Sequence, residues 1–181
     1  MSKEIKDFIK ELFSIVVIAF ILAMILRTFV IEGRIIPTGS MLPTIQLQDR
    51  VLVNKFIYRF KEPERGDIVV FDPPEALNTD LDYIKRVIGL PGETVEMKNG
   101  KVYINNKPLK EPYLAEAIDY EYGPVKVPEG CLLVLGDNRN HSFDSHYWNA
   151  WLTRDRLKGK AILTYWPYNR IHLLQREVSF E

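Results

Sequence analysis

Apolar positions follow two rhythms along this chain, and the change falls near residue 31. From Leu12 to Leu26 every residue is apolar except Ser14, and after Arg27 and Thr28 the run resumes as Phe29-Val30-Ile31. Residues 12–31 thus give about 20 predominantly apolar positions, enough for a helix to cross a hydrocarbon layer of about 30 Å. The organisation expected is a cytoplasmic segment over 1–11, a transmembrane anchor over 12–31 and an extracytoplasmic domain over 32–181. A cleaved signal sequence also starts with charge and an apolar middle, but small residues at A-x-A spacing should then follow. Here the chain reads Arg27-Thr28-Phe29-Val30-Ile31-Glu32, so an uncleaved anchor is expected. Lys3, Lys6 and Lys10 precede the span, against Arg27 and Arg34 at its far end or beyond, which favours a cytoplasmic N-terminus by a narrow margin.

Past residue 31 short β-rich runs set in, each bounded by turn residues. Arg50 to Tyr58 is rich in Val, Ile, Phe and Tyr, and Ile68 to Phe71 ends at Pro73-Pro74. Arg65-Gly66-Asp67 before that run is read as a turn feeding a strand rather than as an adhesion motif. Tyr83 to Leu90 closes on Pro91-Gly92, while Thr94 to Lys98 and Lys101 to Ile104 flank Asn99-Gly100, the pair a type I′ hairpin favours. Leu132 to Leu135 and Lys160 to Trp166 supply two more strands. Residues 107–128, polar, proline-dotted and rich in tyrosine, read as an insertion. This spacing predicts a mainly β domain, an antiparallel barrel or sandwich, behind one N-terminal transmembrane helix.

Composition narrows the partners. Lysine plus arginine and aspartate plus glutamate both number 24, so the chain has no net charge to hold a nucleic acid. One cysteine, Cys131, excludes internal disulfides and a cysteine metal cluster, and its apolar run marks it as a small buried hydrophobe.

Three stretches carry candidate chemistry. In Pro37-Thr38-Gly39-Ser40-Met41-Leu42-Pro43-Thr44-Ile45, prolines stiffen the chain on either side of a hydroxyl and apolar residues seek a core. That is a way to hold Ser40 on a rigid bend, although the same composition serves any turn. Nine residues separate Ile31 from Ser40, at most about 30 Å of extended chain, so a nucleophile there meets substrates at the membrane. In Tyr83-Ile84-Lys85-Arg86-Val87-Ile88, strand alternation puts Lys85 on the face of Tyr83 and Val87, and Arg86 on that of Ile84 and Ile88. On an edge strand such a lysine faces water. Desolvated, it becomes a usable amine base, and Ser–Lys catalysis is a known variant of the triad. The third stretch, Gly136 to His146, is a polar loop leaving a buried strand. It lacks the ligand pattern of a calcium loop. His141, Asp144 and His146 leave a metal site or a Ser–His–Asp triad open as weaker alternatives.

Taken in order behind an apolar span, Pro37 to Ile45, Arg65 to Phe71, Tyr83 to Glu93 and Gly136 to Ser145 resemble a type I signal peptidase (bacterial leader peptidase) of the short, single-anchor kind. The resemblance runs from Arg27 to about Trp166. It implies Ser40 as nucleophile, Lys85 as general base, and Thr38 with the Ser40 N–H as oxyanion hole. It also implies Ser142 as the group orienting the lysine amine, and Arg86, Asp137 and Asp144 as a supporting ionic network. Ile36, Met41, Ile45, Tyr83 and Ile84 fall at positions lining shallow substrate pockets. Two positions depart from the family pattern: His146 stands where arginine often pairs the aspartate, and Arg34 where a pocket edge is usually apolar. The implied function is removal of signal peptides from exported preproteins with A-x-A cleavage sites, at a bilayer, without metal or cofactor. A non-catalytic membrane-anchored β domain and another Ser–Lys self-cleaving protease are the competing readings. The aromatic residues Tyr147, Trp148, Trp151, Tyr165, Trp166 and Tyr168 fit either core packing or the lipid interface.

Overall fold

The structure, a computed structural model, describes residues 3–25, 27, 30–148 and 150–180. Helix α1 runs Lys3–Ile25, and none of its residues is buried against the rest of the protein. At about 1.5 Å per residue its 23 residues are long enough, and apolar enough, to cross a membrane. The expected anchor 12–31 begins later than this helix, because hydropathy marks the apolar run and not the charged turns that precede it. Leu26, Thr28 and Phe29 of that span lie outside the described residues, and Ile31 is already the first residue of a strand.

Among the described residues thirteen strands follow: β1 Ile31–Ile35, β2 Arg50–Asn54, β3 Ile68–Phe71, β4 Tyr83–Gly89, β5 Thr94–Lys98, β6 Lys101–Ile104, β7 Lys107–Lys110, β8 Tyr122–Lys126, β9 Cys131–Leu135, β10 Leu152–Thr153, β11 Leu157–Trp166, β12 His172–Leu173 and β13 Ser179–Phe180. They form two antiparallel sheets. The larger has the order β1-β2-β11-β3-β4-β9-β10, with β12 added to β11; the smaller has the order β13-β7-β6-β5-β8.

Strand β9 shows why the sheets stack. All five of its residues are buried, so both of its faces are covered. Leu133 and Leu135 pack with Val95, Met97 and Val102 of the smaller sheet, while Leu132 and Val134 pack with Val69, Phe71 and Trp148. The hairpin at Asn99-Gly100 forms as the sequence indicates, both residues having positive φ (51° and 76°). Gly66 (φ 87°) makes the Arg65-Gly66-Asp67 turn into β3.

Residues 107–128, read from the sequence as an insertion, carry regular structure. They supply β7 and β8 to the smaller sheet, and Asn105-Asn106 (φ 49° and 65°) makes a second tight turn from β6. The tail then straps the two sheets: β12 adds to β11 of the larger, and β13 to β7 of the smaller.

Candidate active site

The larger sheet curls until its β1 edge comes opposite the start of β4. Between Arg34–Ser40 on one wall and Leu81–Lys85 on the other lies a cleft of about 590 Å³. Ser40 opens a single tight turn closed by Leu42 N–H to Gly39 O (3.2 Å) and Ile45 N–H to Met41 O (2.9 Å). That turn drives Met41 and Ile45 down into a core with Ile36, Val51, Val53, Ile68 and Ile84. Of the five pocket residues the family pattern indicates, Ile36, Tyr83 and Ile84 line the cleft. Met41 and Ile45 are instead fully buried beneath it, because a helical turn points both inward. Thr38 is exposed on the lip of the same cleft.

Lys85 is 5% exposed and Ser40 9%. Separated by 45 positions in sequence, Lys85 Nζ donates to Ser40 Oγ at 2.7 Å. The Tyr83 ring lies 5.6 Å from the amine. Burial pulls the Lys85 pKa down from 10.5 to about 8, against the upward pull of the Asp144 and Asp137 charges. The neutral fraction near pH 7.4 rises accordingly, from about one in a thousand to about one in five. A neutral amine reverses the hydrogen bond and accepts the serine proton.

The polar loop encloses this pair. Asp137 takes a fork from Arg86, Nε to Oδ1 at 2.8 Å and Nη2 to Oδ2 at 2.6 Å, with both side chains buried. Thr44 Oγ1 also donates to Asp137 Oδ2, which ties the loop to the turn carrying Ser40. Arg86 Nη1 is shared by Gly66 O and Gln175 O, and the guanidinium lies 3.9 Å from the Tyr113 ring centre. Asp144 is wholly buried; its Oδ2 accepts the Gly136 N–H (2.8 Å) and its Oδ1 faces His146 Nδ1 (2.6 Å). The imidazole is stacked flat on Tyr120 at 4.1 Å. Ser40 pairs with Lys85 rather than with either loop histidine, while His141 lines the cleft.

Ser142 is buried, but its hydroxyl has no hydrogen-bond partner, so it does not bond the lysine amine here. It packs against Gly136, where an added Cβ would collide with Ser142 Oγ and the Ser40 carbonyl oxygen. Gly136→Ala is expected to cost about 1–3 kcal/mol by overpacking, read as a lower Tm, and to displace Ser40 enough to lose most activity.

Four contributors escaped the sequence reading. Asn138 holds the nucleophile's bend through N–H to Ser40 O (3.0 Å) and Nδ2 to Gly39 O (3.0 Å). Arg139, fully buried, forks onto Glu111 (2.9 and 2.6 Å), and its Nη2 reaches Tyr113 Oη at 3.2 Å. Glu111 and Tyr113 come from the segment read as an insertion, and only the proximity of the two sheets brings them to the loop.

Comparison with known proteins identifies the family. The family model described as signal peptidase, peptidase S26, matches residues 9–166. A probable signal peptidase I-2 of Synechocystis sp. is 51% identical over 174 residues, 94% of this chain and 79% of that protein. A signal peptidase I of Leptolyngbya laminosa is 51% identical, covering 85% and 78%. Signal peptidase I S of Bacillus subtilis (strain 168) is 38% identical, covering 92% and 94%.

Proposed function

The chain belongs to the signal peptidase family, peptidase S26, and we propose that Ser40 and Lys85 are the dyad by which it cuts. The family consists of serine endopeptidases that remove signal peptides. The observation that carries the assignment is the 2.7 Å approach of Ser40 Oγ to an amine whose pKa burial lowers to about 8.

The steps follow from that contact. Neutral Lys85 takes the Ser40 proton as Oγ attacks the scissile carbonyl, then hands it to the leaving amine. The Thr38 hydroxyl and the Ser40 N–H hold the tetrahedral oxyanion, worth a few kcal/mol per donor at about the usual value. Water, deprotonated by the same amine, then releases the acyl group. Arg86, Asp137 and Asp144 keep the polar loop in place beside the lysine, with Ser142 packed against Gly136. The substrate is an exported preprotein whose A-x-A segment enters the cleft as an added strand, with its small side chains toward Ile36, Tyr83 and Ile84. Incubation with such a preprotein in detergent tests the reading: the product should start immediately after the A-x-A segment, and a cut elsewhere contradicts it.

The bilayer is the second partner, with α1 spanning it, the N-terminus in the cytoplasm and the catalytic domain outside. The aromatic residues divide between roles. Trp148 is buried beside Phe71 and Tyr83, whereas Trp166 is 52% exposed and Tyr168 78%. Its exposure supports Trp166 as the tryptophan that meets the lipid interface. In reconstituted vesicles, doxyl-labelled lipid should quench part of the tryptophan emission, and Trp166→Phe should remove that part; equal quenching in both proteins counts against it.

A further inference from the structure

We propose that Arg34 and Asp82 form a charged bar across the substrate cleft, fixing how closely the apolar segment of a signal peptide approaches the cut. The proposal rests on the peptidase reading above and adds a specificity determinant to it.

Two free strand edges face each other here. Among the described residues, strand β1 pairs on one side only, with β2. Strand β4 pairs with β3 along Tyr83–Arg86, but with β9 only from Arg86 onward, so among the described residues the second edge of Tyr83–Lys85 carries no strand. A substrate strand enters between these edges. Arg34 Nη1 crosses the same gap to Asp82 Oδ2 at 2.8 Å. The other carboxylate oxygen, Oδ1, is 2.5 Å from Lys158 Nζ, so both oxygens of Asp82 are taken. Beyond the bar a second depression of about 1050 Å³ opens, lined by Arg59, Arg154 and Lys158 among others, and Arg34 stands in the wall of both.

Position along the strand sets what the bar meets. Asp82 lies three residues before Lys85, about 10 Å at ~3.3 Å per residue. A strand with its scissile carbonyl at Ser40 therefore reaches the bar roughly four residues before the cut. On the near side the walls are apolar: Ile36, Val70, Tyr83, Ile84 and Phe143. At the bar, the Arg34 and Asp82 side chains are 35% and 16% exposed and keep part of their hydration. A bulky apolar residue pressed there strips water from an ion pair and returns nothing, whereas a small or polar residue leaves it hydrated. A signal peptide carries its small-residue cleavage site just after an apolar run of 7–15 residues. The bar requires that run to stop short of it.

The test is a series of preproteins in which the apolar run is moved stepwise toward an unchanged A-x-A site. The readout is the ratio of kcat/KM for the long-spacer substrate to that for one with the run at the fourth and fifth residues before the cut. For the wild-type protein the ratio should be ~10 or more, the discrimination a shaped site gives against a misplaced side chain. Arg34→Leu/Asp82→Leu should bring it to within about twofold of unity. That double variant strands no charge, because Glu32 keeps Lys55 and Lys158 keeps Asp72. Arg34→Lys, which retains a cation, should keep most of the ratio. Loss of general stability lowers both substrates together and leaves the ratio unmoved. A wild-type ratio near one, or an unchanged ratio in the double variant, overturns the bar. Failure of the wild-type protein to cut even the long-spacer substrate overturns the peptidase assignment, and the bar with it.

Discussion

Lys85→Met is expected to abolish preprotein processing, by ~10³-fold or more, while the fold stays intact. Methionine keeps the length and apolar stem of lysine, so the cavity beside Ser40 remains filled. What disappears is the one group within 2.7 Å of Ser40 Oγ able to take its proton. General-base contributions alone are typically ~10²–10⁴, and members of a nucleophile–base unit lose more because they act together. Ser40→Ala should therefore fall to the same floor, and the double variant no lower. Lys85→Arg should be equally inactive, since a guanidinium stays charged at every working pH. The Tm of Lys85→Met should match or exceed that of the wild type, because the substitution removes a buried amine that burial disfavours in its charged form. Residual processing above a hundredth of wild type would assign the base elsewhere.

Asp137→Ala carries the largest expected effect on stability. It strands Arg86, 1% exposed, which keeps the carbonyls of Gly66 and Gln175 and the Tyr113 ring but no counter-charge in a hydrogen bond with it. Breaking a buried ion pair from one side costs about 3–5 kcal/mol, which in a chain of this size lowers Tm by ~10–15 °C. Arg86→Met/Asp137→Leu removes both charges and should recover a good part of that loss, since the orphaned charge rather than the missing bond is the main cost. Differential scanning calorimetry of the two variants decides it; a double variant less stable than Asp137→Ala would contradict this reading. Neither should process preproteins well, because Asp137 also receives Thr44 from the turn that bears Ser40.

Local chemistry was legible in the chain and its meeting places were not. Prolines and Gly39 announced the bend at Ser40, and strand alternation separated Lys85 from Arg86, as β4 confirms by sending one amine to Ser40 and the guanidinium to Asp137. Burial of Lys85 could not be read, because it depends on the curl that brings β1 against β4. Met41 and Ile45 looked like pocket residues by position, yet one helical turn faces them into the core. The smaller sheet was half hidden because β7 (Lys-Pro-Leu-Lys) and β8 (Tyr-Gly-Pro-Val-Lys) carry few β-formers. Proline is tolerated in β8 because that strand lies at the edge of its sheet. Glu111 and Tyr113 were lost with it. His146 shows the opposite case: its position in a polar loop left its partner open, and the structure sets its Nδ1 2.6 Å from Asp144 Oδ1.

Titration of the Lys85 amine by ¹⁵N resonance in the full chain, with Lys85→Met identifying the signal, bears most directly on the proposed dyad. The neutral amine is the working form, so kcat/KM should rise about tenfold per pH unit below the midpoint and level off above it. A midpoint near pH 8, shared by the resonance and by the activity, is the expected result. An amine that titrates near 10.5, as a lysine in open water does, would leave Ser40 without a base at physiological pH.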